Sequence, residues 1–441
     1  MNQHRIEILL PIYIINIQKA IEKSTAKCYN VLCIRKSLFI TAFLNSNKAK
    51  YVNRERYFFM SNEKKTVRFA VIGCGLMGKE FACAVARWCQ LTKDMPKPVI
   101  VGVCDLSEDA RKYFTDNFDT VKYSTTDYKE LLAADDIDAV YCAVPHNLHK
   151  KFYIDIINAG KHLLAEKPFG IDKADNDAIL EAIKNHPEVT VRCSSEFPFF
   201  PGAQEMVRWI ESGASGKIIE IRSNFHHSSD MNTEKPINWK RMIDINGEYG
   251  CMGDLGLHAE HIPFRMGWVP ESVSAYLSDI VKERPDGKGG RVPCLTWDNA
   301  HLVCNVQGED GDFPMIIEMK RICPGATNSW NLEIDGLKQS ARFSTDDPNA
   351  FYFTEHRGHE QAWCRIDIGS KPMIPTITGG IFEFGFSDSI LQMWATFVCE
   401  VAGIPVPFGC LRPEETALSH KLQTAALISH KERRTVSLSE V

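Results

Sequence analysis

Residues 67–80, VRFAVIGCGLMGKE, constrain this chain more than any other stretch. Val67, Phe69 and Val71 alternate with Ala70 and Ile72 in an apolar strand pattern that breaks at once into Gly73-Cys74-Gly75-Leu76-Met77-Gly78. Apolar residues then return at Phe81, Ala82, Val85 and Ala86, which is helical spacing. Strand, glycine turn and helix in that order are the context in which G-x-G-x-x-G points to a bound dinucleotide. Gly73 makes the tight turn, Gly75 lets backbone approach a pyrophosphate, and Gly78 lets helix and strand pack closely. Cys74, Leu76 and Met77 complete the loop, and the phosphates meet free N–H groups at the helix start. An ordinary glycine-rich βα turn is the competing reading of the motif taken alone.

The next apolar run, Val99–Cys104, ends in Asp105, placed to accept hydrogen bonds from the ribose hydroxyls of an adenosine. No cation follows at once (Leu106, Ser107), so nothing there would hold a 2′-phosphate. That favours NAD over NADP, with Arg111 on the following helix leaving the second open. A strand-end aspartate that merely caps the next helix is the plainer alternative.

Strands and helices alternate as far as Val189–Cys193, the rhythm of a parallel, doubly wound sheet. Ligands on such sheets sit beyond the carboxyl ends of the strands. Two of those ends carry unusual residues: Pro145-His146-Asn147-Leu148-His149 and Ala165-Glu166-Lys167-Pro168. After residue 196 the pattern changes. Lys217–Phe225, Ser272–Ile280, Ala300–Val306, Met315–Lys320, Trp330–Ile334 and Ser340–Ser344 read as strands without intervening helices, hence an antiparallel sheet. Asp388–Val401 and Glu414–His430 read as amphipathic helices that pack back onto the body. The fold class is therefore α/β: an N-terminal Rossmann doubly wound parallel sheet plus an α+β domain with a mostly antiparallel sheet. We expect residues 1–62 to be an extension outside the core, with Met60 as the functional start, 63–196 to bind dinucleotide, and 197–441 to serve substrate and oligomer contacts.

Gly250-Cys251-Met252-Gly253-Asp254-Leu255-Gly256-Leu257-His258 sets Asp254 and His258 at i and i+4, on one face of a helix. A metal could draw on Asp254, His258, Glu260 and His261, but Glu260 cannot share that face and the spacing is not His-Glu-x-x-His. We expect no metal. Trp239, Arg241, Trp297, Asn299 and Lys320 are further candidates for substrate contact. Trp297-Asp298-Asn299 and Lys320-Arg321 are polar-aromatic patches suited to sugars, and equally compatible with plain surface.

The glycine loop, the Pro145–His149 turn, Glu166-Lys167-Pro168 and the Asp254-x-x-x-His258 helix together resemble the glucose–fructose oxidoreductase / inositol dehydrogenase / rhizopine-catabolism (Gfo/Idh/MocA) family over roughly residues 65–441. The resemblance implies that Lys167 lies beside the nicotinamide ring and the reacting hydroxyl, with Asp254 and His258 as its catalytic partners. It places Pro145, His146, Asn147, His149 and Glu166 on the cofactor side. It also implies a large open sheet used for homo-oligomer contacts. His258 is the expected proton acceptor, since its ordinary pKa lies near neutrality, and Asp254 would orient it or bind a substrate hydroxyl. Beside a cationic nicotinamide the Lys167 ammonium should lose its proton more readily.

The expected function is an NAD-dependent dehydrogenase acting on a secondary hydroxyl of a sugar, polyol or sugar derivative. A redox-neutral glycosidase or lyase working through a transient keto-sugar, and a non-catalytic NAD-sensing regulator, are the alternatives. Composition narrows the partners. A net charge of −5 offers no surface for nucleic acid. No stretch approaches the roughly 18–20 apolar residues of a membrane span. The 15 cysteines include no C-x-x-C, and Cys104, Cys142, Cys304 and Cys399 lie in apolar runs. They read as buried free thiols in a reducing, cytoplasmic setting, and Cys74 reads as structural.

Overall fold

A computed structural model describes residues 66–441 apart from position 370, so the expected extension through residue 62 and its start at Met60 lie outside the described residues. Six parallel strands open the architecture: β1 (Thr66–Ile72), β2 (Lys97–Cys104), β3 (Tyr123–Thr125), β4 (Ala139–Cys142), β5 (His162–Ala165) and β6 (Val191–Cys193). Their spatial order is β3-β2-β1-β4-β5-β6, reversing direction at β1 and β4. That reversal is the topological switch point at which such sheets bind dinucleotides. Five helices alternate with the strands: α1 (Leu76–Ala86), α2 (Glu108–Asn117), α3 (Tyr128–Leu132), α4 (His149–Asn158) and α5 (Lys173–Asn185). β1 and β4 are apolar and buried along almost their whole length, as expected of strands covered on both faces.

The caps are local. Ser107 accepts a hydrogen bond from the Ala110 N–H to start α2, with Glu108 and Asp109 in the first turn. Asp172 does the same for α5 through the Asp175 N–H at 2.8 Å. Asp105 is thus spared the capping role that was its plainer reading.

Beyond β6 come α6 (Pro201–Glu211), β7 (Ile218–His226), the short α7 (Ile243–Asn246) and α8 (Cys251–Arg265). The strands β8 (Pro270–Ser278), β9 (Glu283–Pro285), β10 (Arg291–Pro293), β11 (Asn299–Val306), β12 (Phe313–Lys320), β13 (Ser329–Gly336), β14 (Ala341–Ser344), β15 (Ala350–Arg357) and β16 (Glu360–Asp367) follow. Two helices, α9 (Phe386–Val401) and α10 (Pro413–Glu432), and a last strand, β17 (Val436–Ser437), complete the chain. Nine strands form one sheet in the order β16-β15-β14-β13-β7-β12-β11-β8-β17. Every pairing in it is antiparallel except β7 with β12. β9 and β10 form a separate two-stranded ribbon.

Burial alternates along β12 and β13 because only one face of the large sheet is covered. α8 covers it, packing on β7, β11 and β12, and α10 lies against α8 and β8. Cys251–Phe264 of α8 are all buried, so the helix is the core of this half rather than an amphipathic surface helix. α9 and α10 pack back as expected, α9 on α1 and α10 also on α5. The β15–β16 hairpin was not anticipated. Its outer strand is polar and mostly exposed, so the apolar alternation that marks a half-buried strand is weak there. Among the described residues no helix is long and apolar enough to cross a membrane. Cys74, Cys104, Cys142, Cys304 and Cys399 are buried free thiols.

Candidate active site

The glycine loop joins β1 to α1 beside the switch point. A side chain at Gly73, whose φ is +94°, would lie 2.3 Å from the Ala143 carbonyl oxygen, and one at Gly78 would lie 2.3 Å from the Gly73 carbonyl oxygen. Both glycines are therefore demanded by packing. Gly75 differs: an added Cβ meets nothing within 4 Å, and the residue faces a cavity of about 780 Å³. Gly75 is also the residue from which α1 springs, with no side chain capping its first N–H groups. An open glycine, uncapped amides and a 77% exposed Leu76 leave room for a pyrophosphate laid on the helix start. Asp105 rests against this loop, accepting hydrogen bonds from the N–H of Cys74 at 2.8 Å and of Ser107 at 2.9 Å. The Arg111 guanidinium donates to the Asp105 backbone carbonyl. These residues fit a dinucleotide and its adenosine ribose.

The same cavity extends past Leu76, Met77, His146, Glu166 and Lys167 to Trp239, Asp254 and His258. Lys167 stands in the loop after β5, where its peptide bond to Pro168 is cis. His149 shapes that loop from behind, its ring nitrogens 2.6 Å from the Pro168 carbonyl oxygen and 2.8 Å from that of Val144. Both nitrogens are engaged, so His149 supports the site rather than facing it. Gly73, Cys74, Gly78, Asp105, Pro145 and Asn147 likewise do not line the cavity.

Asp254 is 3% exposed and gathers three cations. Lys167 Nζ donates to Oδ1 at 2.9 Å, Lys240 Nζ to Oδ2 at 2.9 Å, and Arg321 Nη2 to Oδ2 at 3.2 Å. Burial alone would raise the carboxyl's pKa, but Lys167, Lys240 and Arg321 outweigh it and hold it well below the usual carboxylate range. At Lys167 the chain's own groups work against the proton loss that a cationic nicotinamide would favour. Burial works to lower its pKa, yet Asp254 and Glu166 prevail and raise it, so the ammonium is retained. Asp254 therefore anchors cations and does not orient His258.

His258 is 4% exposed, its ring edge-on between Phe197 and Phe225 at centroid distances of 5.2 and 5.1 Å. Burial, then the Lys167 charge, holds its pKa well below the ordinary histidine value, leaving a neutral imidazole at the cavity wall. α8 starts cleanly because Gly250 has φ +60°, where a side chain would meet the Trp297 backbone nitrogen at 2.5 Å. Gly250 is thus required by its backbone, and at Gly256 an added Cβ would lie 2.6 Å from the buried Gln423 amide nitrogen.

Of the five substrate candidates, Trp239 lines the cavity, its ring edge-on to His146 at 4.5 Å. The other four do not. Arg241 is fully buried between Asp230 and Asp298, Trp297 packs on His430, Asn299 ties down the Ile322 backbone, and Lys320 pairs with Glu318 at 3.0 Å. In their place the cavity presents Arg321, named only within the Lys320-Arg321 patch, and Lys240, Glu196, Phe225 and His227, which were not singled out. Lys240 and Arg321 each neighbour a named candidate, so the polar-aromatic patches were the right signal read one residue out of phase. Glu260 and His261 are buried away from the cavity, and no metal-ligating cluster occurs among the described residues.

Residues 67–193 match a family model, GFO_IDH_MocA, described as "Oxidoreductase family, NAD-binding Rossmann fold". Levoglucosan dehydrogenase of Pseudarthrobacter phenanthrenivorans is 26% identical over 231 residues, 51% of this chain and 57% of that protein. The 2,7-anhydro-N-acetylneuraminate hydratase of Mediterraneibacter gnavus is 27% identical over 218 residues, 48% of this chain and 52% of that protein. Each match spans less than two thirds of the relative's own length. The solved structure of a levoglucosan dehydrogenase in complex with NADH superposes with a TM-score of 0.74 at 20% identity, covering 85% of this chain and 99% of that one, a likeness of fold.

Proposed function

We propose, from the match of residues 67–193 to the Gfo/Idh/MocA oxidoreductase model, that the protein is an NAD-dependent dehydrogenase of a secondary hydroxyl on a sugar, polyol or sugar derivative. The observation that carries the proposal is that Gly75, Lys167 and His258 all open onto one cavity. Held along the glycine loop, NAD would supply the hydride acceptor. The chain supplies the rest. The neutral imidazole of His258 accepts the hydroxyl proton, and the retained Lys167 ammonium donates a hydrogen bond to the oxygen as negative charge develops on it. Asp254 fixes that ammonium and spreads Lys240 and Arg321 along the same wall. Phe225 and Phe386 keep the reacting end apolar.

The test is a screen of NAD reduction across secondary alcohols of sugars, polyols and sugar acids, followed by NADH absorbance. Turnover with at least one class supports the reading, and absence of NAD binding by calorimetry would sink it. Similarity to a hydratase favours a second reading, in which the substrate leaves without net oxidation. Tight NAD binding with product release but no NADH would select it. Association of copies through the open face of the large sheet, where Tyr276 and Val303 are exposed, and a cytoplasmic setting belong to the same proposal.

A further inference from the structure

His258 stands on α8 with its Nδ1 lacking any hydrogen-bond partner, although the ring is buried. An imidazole that accepts a proton at one nitrogen works best when the other is tied, because the tie fixes both tautomer and ring orientation. Asp254, one turn away, cannot serve: both its oxygens are taken by Lys167, Lys240 and Arg321. Glu166 accepts the Tyr141 hydroxyl at 2.8 Å. Of the two other carboxyls at the wall, Asp230 is paired with Arg241, which leaves Glu196, 5% exposed, in the loop after β6, with Oε2 3.9 Å from His258 Nδ1.

Its backbone is well held. The Ser194 N–H donates to the Ala165 carbonyl at 2.8 Å, and the Glu196 carbonyl accepts from the Phe199 N–H at 3.0 Å. A gap of 3.9 Å exceeds a hydrogen bond, and a small side-chain rotation closes it.

We propose that Glu196 is the positioning residue of His258, its carboxylate accepting a hydrogen bond from Nδ1–H so that Nε2 faces the substrate. The proposal rests on the dehydrogenase reading only for what Nε2 then does. When the substrate hydroxyl's O–H bond breaks and Nε2–H forms, the imidazolium charge arises beside the Glu196 carboxylate. Lys167, Asp254, His227 and Lys240 also face His258, and Glu166 and Lys167 face Glu196. Burial, with Glu166 adding to it, pushes the Glu196 carboxyl up to about 7, so it is partly ionised near neutrality and becomes fully so as the imidazole gains charge.

The experiment is nitrogen NMR on full-length protein carrying ¹⁵N-labelled histidine, with the His258 signals assigned by their loss in His258→Asn. We expect the Nδ1–H tautomer in the wild type. In Glu196→Gln the titration midpoint of His258 should fall by about 0.5 pH unit or more, since a carboxylate that favours the imidazolium is gone. With an alcohol from the screen, kcat in Glu196→Gln should fall about 10–100-fold with KM within about twofold, and the acidic limb of the profile should move to lower pH. Glu196→Asp should recover part of the rate, and Glu196→Ala replaces Glu196→Gln in the titration should the amide variant not fold. An Nε2–H tautomer in the wild type, or an unmoved midpoint and acidic limb, overturns the proposal. The tautomer is read without turnover, so a protein that oxidises no alcohol yet shows the expected signals would remove the dehydrogenase reading and leave the pairing.

Discussion

Lys167 Nζ and Asp254 Oδ1 meet at 2.9 Å, the first carried by the loop that ends β5 and the second by the first turn of α8. That contact ties the parallel sheet to the helix beneath the large sheet, and it fixes the charge state of both partners. The ammonium stays protonated and the carboxylate stays ionised, so neither is the base. On the proposed reading the base is His258, which burial keeps neutral.

If this division of labour holds, His258→Ala and Lys167→Ala should each lower turnover by about 10²–10⁴-fold, the usual contribution of a positioned acid–base group. NAD affinity should change little, since the glycine loop and Asp105 carry it. Stopped-flow hydride transfer and calorimetry on the same preparations separate the two quantities. Undiminished turnover in both variants would refute the assignment.

Two of the loop glycines, Gly75 and Gly73, should fail differently. Gly75→Ala adds a methyl group to open space, so the melting temperature should hold while NAD affinity drops, because the cofactor needs that space. Gly73→Ala forces a side chain into the Ala143 carbonyl at positive φ and should destabilise the fold itself, by at least about 1–3 kcal/mol. Thermal melts with and without NAD distinguish the two. Equal melting losses would mean that Gly75 is a packing glycine too.

Cofactor choice should turn on Asp105. A 2′-phosphate would meet its carboxylate, so NAD should be preferred by at least roughly tenfold, about 1.4 kcal/mol. Asp105→Ser removes the repulsion and leaves the Arg111 guanidinium close by, so the preference should shrink or reverse. An unchanged ratio of dissociation constants would exclude Asp105 from the ribose site.

Stability should fall on mild acidification. Burial holds His146, His258 and His261 well below the ordinary histidine value and lowers His420 to about 3. The unfolded chain takes up protons at these positions below pH about 6.5 while the folded chain does not. Their contribution is therefore full above that pH and lost as pH falls. Glu196 and Glu260, pushed up to about 7 by burial, act in the opposite sense, since the folded state holds their protons first. With His149, which burial lowers to about 4, five histidines against two carboxyls leave a net slope on the order of 3–4 kcal/mol per pH unit near pH 5.5. Urea unfolding at about pH 6.5 and about pH 5.5 measures it, and a flat or rising trend on acidification would contradict the buried neutral histidines.

The sequence by itself determined what local spacing encodes. Alternation and glycine placement around Gly73–Gly78 set the switch-point loop. The i, i+4 pair on α8 set Asp254 and His258 on one face, and the strand-end position of Lys167 brought it to the cleft. These depend on residues a few places apart, where backbone geometry alone decides direction. The surroundings of that cluster were settled by the tertiary structure. Lys240 and Arg321 reach Asp254 while their neighbours Arg241 and Lys320 turn elsewhere, because one residue turns the side chain by about 120° in the Trp239–Arg241 helical turn and reverses it at the end of β12. The Lys167 charge could not be read locally either, since it depends on a carboxylate 87 positions along the chain. Glu196 beside His258 is of the same kind: neither residue's neighbours in sequence announce the other, and only the packing of the Phe197–Phe199 turn against α8 and α9 brings the two groups to one wall.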